Sequence, residues 1–162
     1  MKIRQAIPAD AEKLVELIKR VEDSGTMMFD PGERKTTAEQ FQKRIETIDE
    51  NSAIFVAEEQ EGLTGYLFAI GENLVRKSHS VYVAIGVQDG QRGTGIGTKL
   101  FSALDKWAVN KGLHRIELTV MEHNEAGIAL YKKMGFEVEG RKLDSLLVDG
   151  NYVDELYMAK IL

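Results

Sequence analysis

Three glycines alternate at Gly93, Gly95 and Gly97 inside the segment Gln91-Arg92-Gly93-Thr94-Gly95-Ile96-Gly97-Thr98. An apolar run, Ser80 to Val87, precedes them, and Ile96, Leu100, Leu104, Trp107 and Ala108 follow at helical spacing. Glycine lets a backbone approach a bulky anion closely and adopt positive φ. The N–H groups of a helix's first turn, at the positive end of its dipole, then form a phosphate site. Arg92 adds a charge-assisted donor at the rim. A single glycine would suit a plain helix-start turn, whereas three alternating ones after a strand point to a bound anion.

Spacing bears on which anion. A dinucleotide fingerprint needs Gly-x-Gly-x-x-Gly, but Thr98 stands three residues after Gly95. A phosphate-binding P-loop closes on Gly-Lys-Ser/Thr, and Gly97-Thr98-Lys99 has the order wrong. Both nucleotide readings are weakened, and a nucleotide-binding α/β module is kept only as an alternative.

Arg92-Gly93-Thr94-Gly95-Ile96-Gly97 resembles the Arg/Gln-x-x-Gly-x-Gly/Ala motif of the GNAT (GCN5-related) N-acetyltransferases. Downstream, Asn124-Glu125-Ala126-Gly127-Ile128-Ala129-Leu130-Tyr131-Lys132-Lys133-Met134-Gly135-Phe136 is similar to the family's second signature. The resemblance implies acetyl-CoA as acyl donor, its pyrophosphate on the backbone of Arg92, Gly93, Thr94, Gly95, Ile96 and Gly97, with the Thr98 hydroxyl beside it. It further implies that the pantetheine arm runs between two splayed parallel strands, along an open edge that includes Ile85 and Val87. Asn124 would cap its helix and contact the same arm. Lys99, Lys132 and Lys133 are either outer-phosphate contacts or a solvated helix face.

Tyr131 shares a helix face with Gly127, Leu130 and Met134, and the family motif places a tyrosine there. It is either a core tyrosine or the general acid that protonates the departing thiolate. A phenol with a pKa of about 10 stays protonated at neutral pH, and the resemblance favours the catalytic role. Many family members carry a glutamate on the strand before the glycine turn, but Tyr82-Val83-Ala84-Ile85-Gly86 has no carboxylate. Glu33, in the loop between the first two helices, and Glu117, on the next strand, are the substitutes, with a water relay as the other route. The loop Met27-Met28-Phe29-Asp30-Pro31-Gly32-Glu33 falls where the family forms its acceptor wall, and its apolar side chains suit an amino acid. The C-terminal run Asp149 to Ala159 resembles amino-acid, ribosomal-protein and polyamine acetylating branches without separating them. The expected activity is acetyl transfer to a primary amine of a small molecule, an amino acid or a polyamine-like compound. A non-catalytic acyl-CoA sensor and acetylation of a protein N-terminus are the alternatives, and dimers are usual in the family.

These groups need positioning. Met1 to Ile7 predicts a strand, and Asp10 a cap for a helix with Ala11, Leu14, Val15, Ile18 and Val21 on one face. Thr37 and Gln40 form a capping box, after which Phe41, Ile45 and Ile48 share a helical face. Ser52 to Ala57 and Leu63 to Ile70 read as a hairpin, and Ser80 to Val87 as a third strand. After the helix stopped by Gly112 come a strand at Arg115 to Val120, a helix at Asn124 to Met134, and strands at Phe136 to Arg141 and Tyr152 to Lys160. The crossover helix makes the strands ending at Val87 and starting at Arg115 parallel. The expected architecture is α/β (α+β): a mixed, mostly antiparallel sheet with a central parallel pair, flanked by helices. The 162 residues suit one domain spanning 1–162.

The 43% hydrophobic and 29% charged residues are those of a globular chain. A net charge of -5 argues against a general nucleic-acid binder. No apolar run reaches the roughly 20 residues of a membrane helix, and Met1 to Ala6 carries no apolar leader region, so a cytoplasmic location is expected. Without cysteine there is no thiolate metal site and no cysteinyl acyl-enzyme. His79, His114 and His123 lack metal-site spacing, so no metal is expected.

Overall fold

In the computed structural model, which describes residues 1–162, a single seven-stranded sheet separates two apolar layers. The strands are β1 (Lys2–Gln5), β2 (Ala53–Glu59), β3 (Gly62–Gly71), β4 (Ser80–Val87), β5 (Arg115–Met121), β6 (Glu137–Val148) and β7 (Asn151–Ile161). The helices are α1 (Ala11–Glu22), α2 (Ala38–Glu46), α3 (Ile96–Asn110) and α4 (Glu125–Lys133). Their order along the chain is the expected one, and the sheet order is β1-β2-β3-β4-β5-β7-β6.

Only β4 and β5 run parallel, as the α3 crossover requires. Their ladder covers Ser80–Arg115, Val81–Ile116 and Tyr82–Glu117 and then ends. Beyond it, β4 stays paired to β3 as far as Val87 while its other edge has no strand partner. The Tyr82 hydroxyl and Thr119 Oγ1 hydrogen-bond at 2.8 Å across the start of this gap.

One apolar layer joins α3 and α4 to the sheet through Phe55, Leu67, Leu100, Phe101, Ile116 and Phe136. The other joins α1 and α2 through Leu14, Leu17, Phe41, Val56, Tyr66 and Phe68. Burying the apolar stripe of each helix is what fixes the two layers. Gly112 and Gly135, at φ of 70° and 95°, end α3 and α4 in left-handed turns.

Several local expectations are corrected. Asp10 does not cap α1 with its side chain; Arg4 holds that carboxylate at 2.7 and 2.9 Å, and the Ile7 N–H donates to it. The Arg4 hydrogen bonds keep the Asp10 carboxyl below the usual carboxylate range. The Thr37–Gln40 capping box is present, but α2 stops at Glu46 and leaves Ile48 exposed. β6 runs seven residues past the predicted Arg141, because Asp149 and Gly150, both at positive φ, turn it tightly into β7.

Candidate active site

The glycine turn divides its three glycines between two duties. Gly93 and Gly95 have φ of 78° and 88°, a region closed to most side chains, and Gly95 is the N-cap of α3. The first backbone bond of α3 runs from the Lys99 N–H to the Gly95 carbonyl, leaving the N–H groups of Ile96, Gly97 and Thr98 without a helical acceptor. Gly97 serves packing instead: a Cβ there would stand 2.7 Å from Leu130 Cδ2 on α4. Arg92 is exposed and pairs with Asp89 at 3.3 Å, so part of its charge is already answered. Lys133 reaches Thr98 Oγ1 at 3.5 Å and lines the same hollow, which Lys99 and Lys132 do not.

A cavity of about 710 Å³ runs from this turn along the unpaired stretch of β4, where Ile85 and Val87 line it. It passes Asn124 and Tyr131 and opens between α1, α2 and the loop that joins them. Asn124 is the N-cap of α4, its side-chain oxygen accepting the Gly127 N–H at 3.0 Å.

Tyr131 is 9% exposed and packs edge-on against Phe101. Its side chain lines the cavity. Burial, and then the nearby Tyr82, push this phenol up to about 12. The group is therefore a proton donor throughout the neutral range. Tyr66 lines the wall opposite, with its own ionisation driven up by burial and by Glu22. Its ring lies against Gly86, where an added Cβ would meet it at 2.5 Å.

The α1–α2 loop supplies Met27, Met28 and Phe29 to the cavity wall. Arg34 holds it in place, gripping the buried Glu22 carboxylate at 2.8 and 3.0 Å while its guanidinium lies 4.2 Å from the Phe29 ring centre. Arg44 lines the same end, over the rings of Phe41 and Phe68, and forms no ion pair. Loss of solvent and the Arg34 charge lower its pKa.

Glu33 is not part of this wall. It is exposed and accepts the Asp30 N–H at 2.8 Å within its own turn. Glu117 points elsewhere too, bound to Arg115 at 2.8 Å. The carboxylates that do line the cavity are Glu22, which Arg34 already occupies, and Glu155 of β7, which is 6% exposed. Glu155 stands in the C-terminal run with no motif or regular alternation to single it out.

The family model described as acetyltransferase (GNAT) family matches residues 16–136. The chain belongs to this family. It is 34% identical over 103 residues to L-amino acid N-acetyltransferase AaaT of Escherichia coli (strain K12), a match spanning 61% of the chain and 62% of that relative. The chain thus spans less than two thirds of that curated relative's length. Among solved structures, the acetyltransferase of GNAT family from Streptococcus pneumoniae superposes with a TM-score of 0.94 at 25% identity, over 99% of this chain and 98% of that one. A GNAT superfamily phosphinothricin acetyltransferase from Sinorhizobium meliloti, solved in complex with acetyl-CoA, gives 0.88 at 24%, over 99% and 88%. The mixed sheet with one parallel pair is the GNAT fold.

Proposed function

We propose that this protein transfers an acetyl group from acetyl-CoA to the α-amine of an amino acid or a close analogue. The carrying observation is one continuous cavity that joins a helix start with free N–H groups to a buried phenol and on to an apolar wall with an arginine outside any ion pair. The N–H groups of Ile96, Gly97 and Thr98, with Arg92, Gly93, Thr94, Gly95 and Lys133 around them, suit the pyrophosphate. Ile85 and Val87 on the open β4 edge, with Asn124 opposite, suit an extended amide-bearing arm. In this reading the thioester lies near Tyr131, which donates its proton to the departing CoA sulfur. Met27, Met28 and Phe29 would receive an apolar side chain, and Arg44 a carboxylate.

The E. coli relative is named for L-amino acids, and the S. meliloti protein was solved with acetyl-CoA; both support this reading. No helix is long and apolar enough to cross a membrane. We extend the reading to a homodimer through the β6–β7 hairpin, where Leu143, Leu147 and Tyr152 are exposed beside an unpaired edge strand. Light scattering on the purified protein measures that mass.

The deciding assay supplies acetyl-CoA with a panel of L-amino acids, methionine analogues, polyamines and N-terminal peptides, and follows release of the CoA thiol. Turnover confined to amino acids and their analogues is the expected result. Acetyl-CoA binding without thiol release on any member overturns it in favour of a sensor.

A further inference from the structure

We propose that Glu155 is the general base of this site, set in place by Ser145 from a bulge in β6. The assignment rests on the acetyl-transfer reading above and supplies the group that β4, with Tyr82, Ala84 and Gly86 on its acceptor side, lacks.

Glu155 lies on β7 opposite Met121 of β5 and Lys142 of β6, at the end of the cavity lined by Met121 and Leu146. A carboxylate 6% exposed and without a cationic partner is costly to bury unless hydrogen bonds or a bound cation compensate it. The protein supplies one bond, from the Ser145 hydroxyl to Oε1 at 2.9 Å. Oε2 has no protein donor. A primary amine arriving as its ammonium ion brings the missing charge and the missing hydrogen bond together.

The bulge is built for this contact. The β6–β7 register jumps from Lys142–Glu155 to Leu146–Val153, so three residues of β6 face Asp154 alone. Asp144 takes φ of 47° to make the extra loop, and its N–H is held by Asp154 Oδ1 at 2.7 Å. That region is uncommon for a non-glycine residue. The strained turn carries Ser145 onto Glu155.

No other group in the cavity fills this role. Glu22 is closed by Arg34, and the Tyr66 and Tyr131 phenols are shifted away from ionisation. Tyr82 is engaged with Thr119; Arg44 and Lys133 are cations, as is Lys142 across the strand pair. In the reaction Glu155 takes one proton from the ammonium. The freed nitrogen lone pair forms the bond to the acyl carbon, the carbon–sulfur bond breaks, and sulfur keeps that electron pair. Tyr131 protonates the sulfur, and the second proton leaving the new amide nitrogen restores the phenol. Glu155 returns its proton to solvent, so one proton is released for each acetyl group moved.

The test compares wild type, Glu155→Gln, Glu155→Asp, Ser145→Ala and Ser145→Thr with acetyl-CoA and the best amino acid, from pH 6 to 10. Circular dichroism and acetyl-CoA titration run alongside. Glu155→Gln is expected to bind acetyl-CoA as wild type does and to lose about a hundredfold in kcat at pH 7. Its log kcat should climb with a slope near one as the free amine fraction rises, so the deficit shrinks towards pH 10, with Glu155→Asp in between. Ser145→Ala removes the bond that orients the carboxylate, so its kcat should fall about tenfold at unchanged acetyl-CoA affinity, with Ser145→Thr restoring it. A Glu155→Gln enzyme with wild-type kcat, or with a deficit equal at every pH, overturns the assignment. Should that variant not fold, a Ser145→Ala enzyme with wild-type kcat overturns it instead. A wild-type protein that acetylates nothing sinks the parent reading, which the variant comparison keeps separate.

Discussion

Tyr131→Phe deletes one oxygen from the cavity wall. Folding stability should hold, because the ring and its edge-on packing against Phe101 are kept. Turnover should drop by about a hundredfold, with acetyl-CoA affinity nearly unchanged. A titration calorimetry series set against steady-state kcat separates the two. With the phenol near 12, wild-type kcat should show no falling alkaline limb below about pH 10, since the acid stays protonated there. Arg44→Ala tests the other end of the cavity. It should raise KM about tenfold or more for an amino acid while leaving the decarboxylated amine unaffected, because only the former offers a carboxylate. Motif and spacing single out Tyr131 and the turn residues, and Tyr131 and most of the turn line one cavity. Glu155 was not legible, because a lone glutamate in a β7 run shows nothing of burial until the β6 bulge closes over it. Glu33 misled for the converse reason: the loop's position was right, but the carboxylate turns back on Asp30.

α3 and α4 touch where Gly97 admits Leu130. Gly97→Val should force that contact apart, at a cost of roughly 1–3 kcal/mol in a urea midpoint series. Because Leu130 precedes Tyr131, the same variant should lose kcat as well as acetyl-CoA affinity, which a change at the phosphate site alone would not do. The elements themselves were largely readable. α1, α3 and α4 carry regular apolar spacing, α3 and α4 end at glycines, and the α3 crossover implied the parallel pair. The far half of β6 was not readable, since the bulge at Leu143 to Ser145 breaks the two-residue alternation on which a strand is recognised. The role of Asp10 failed similarly: its sequence position says cap, while Arg4, six residues away, claims the carboxylate.

At the scale of the molecule, the sheet divides where β4 and β5 part. On one side lie β1 to β4 with α1 and α2; on the other lie β5 to β7, with α4 after β5. Three residues of ladder, the Tyr82–Thr119 bond, α3 and the apolar layer beneath it, from Leu67 to Ile116, hold the sides together. This line is a mechanical seam, with less cohesion than any antiparallel pair beside it. Empty, it should open locally more often than the rest of the core, and the amides of Val83 to Val87 should exchange with deuterium faster than those of β2 and β3. Acetyl-CoA lying in the seam would then act as a staple. By linkage it should raise the melting temperature with concentration and slow exchange on both flanks at once, from β4 to β5. Deuterium uptake followed by mass spectrometry, with and without acetyl-CoA, would register that stitch; protection limited to the glycine turn would show two halves already rigid without it.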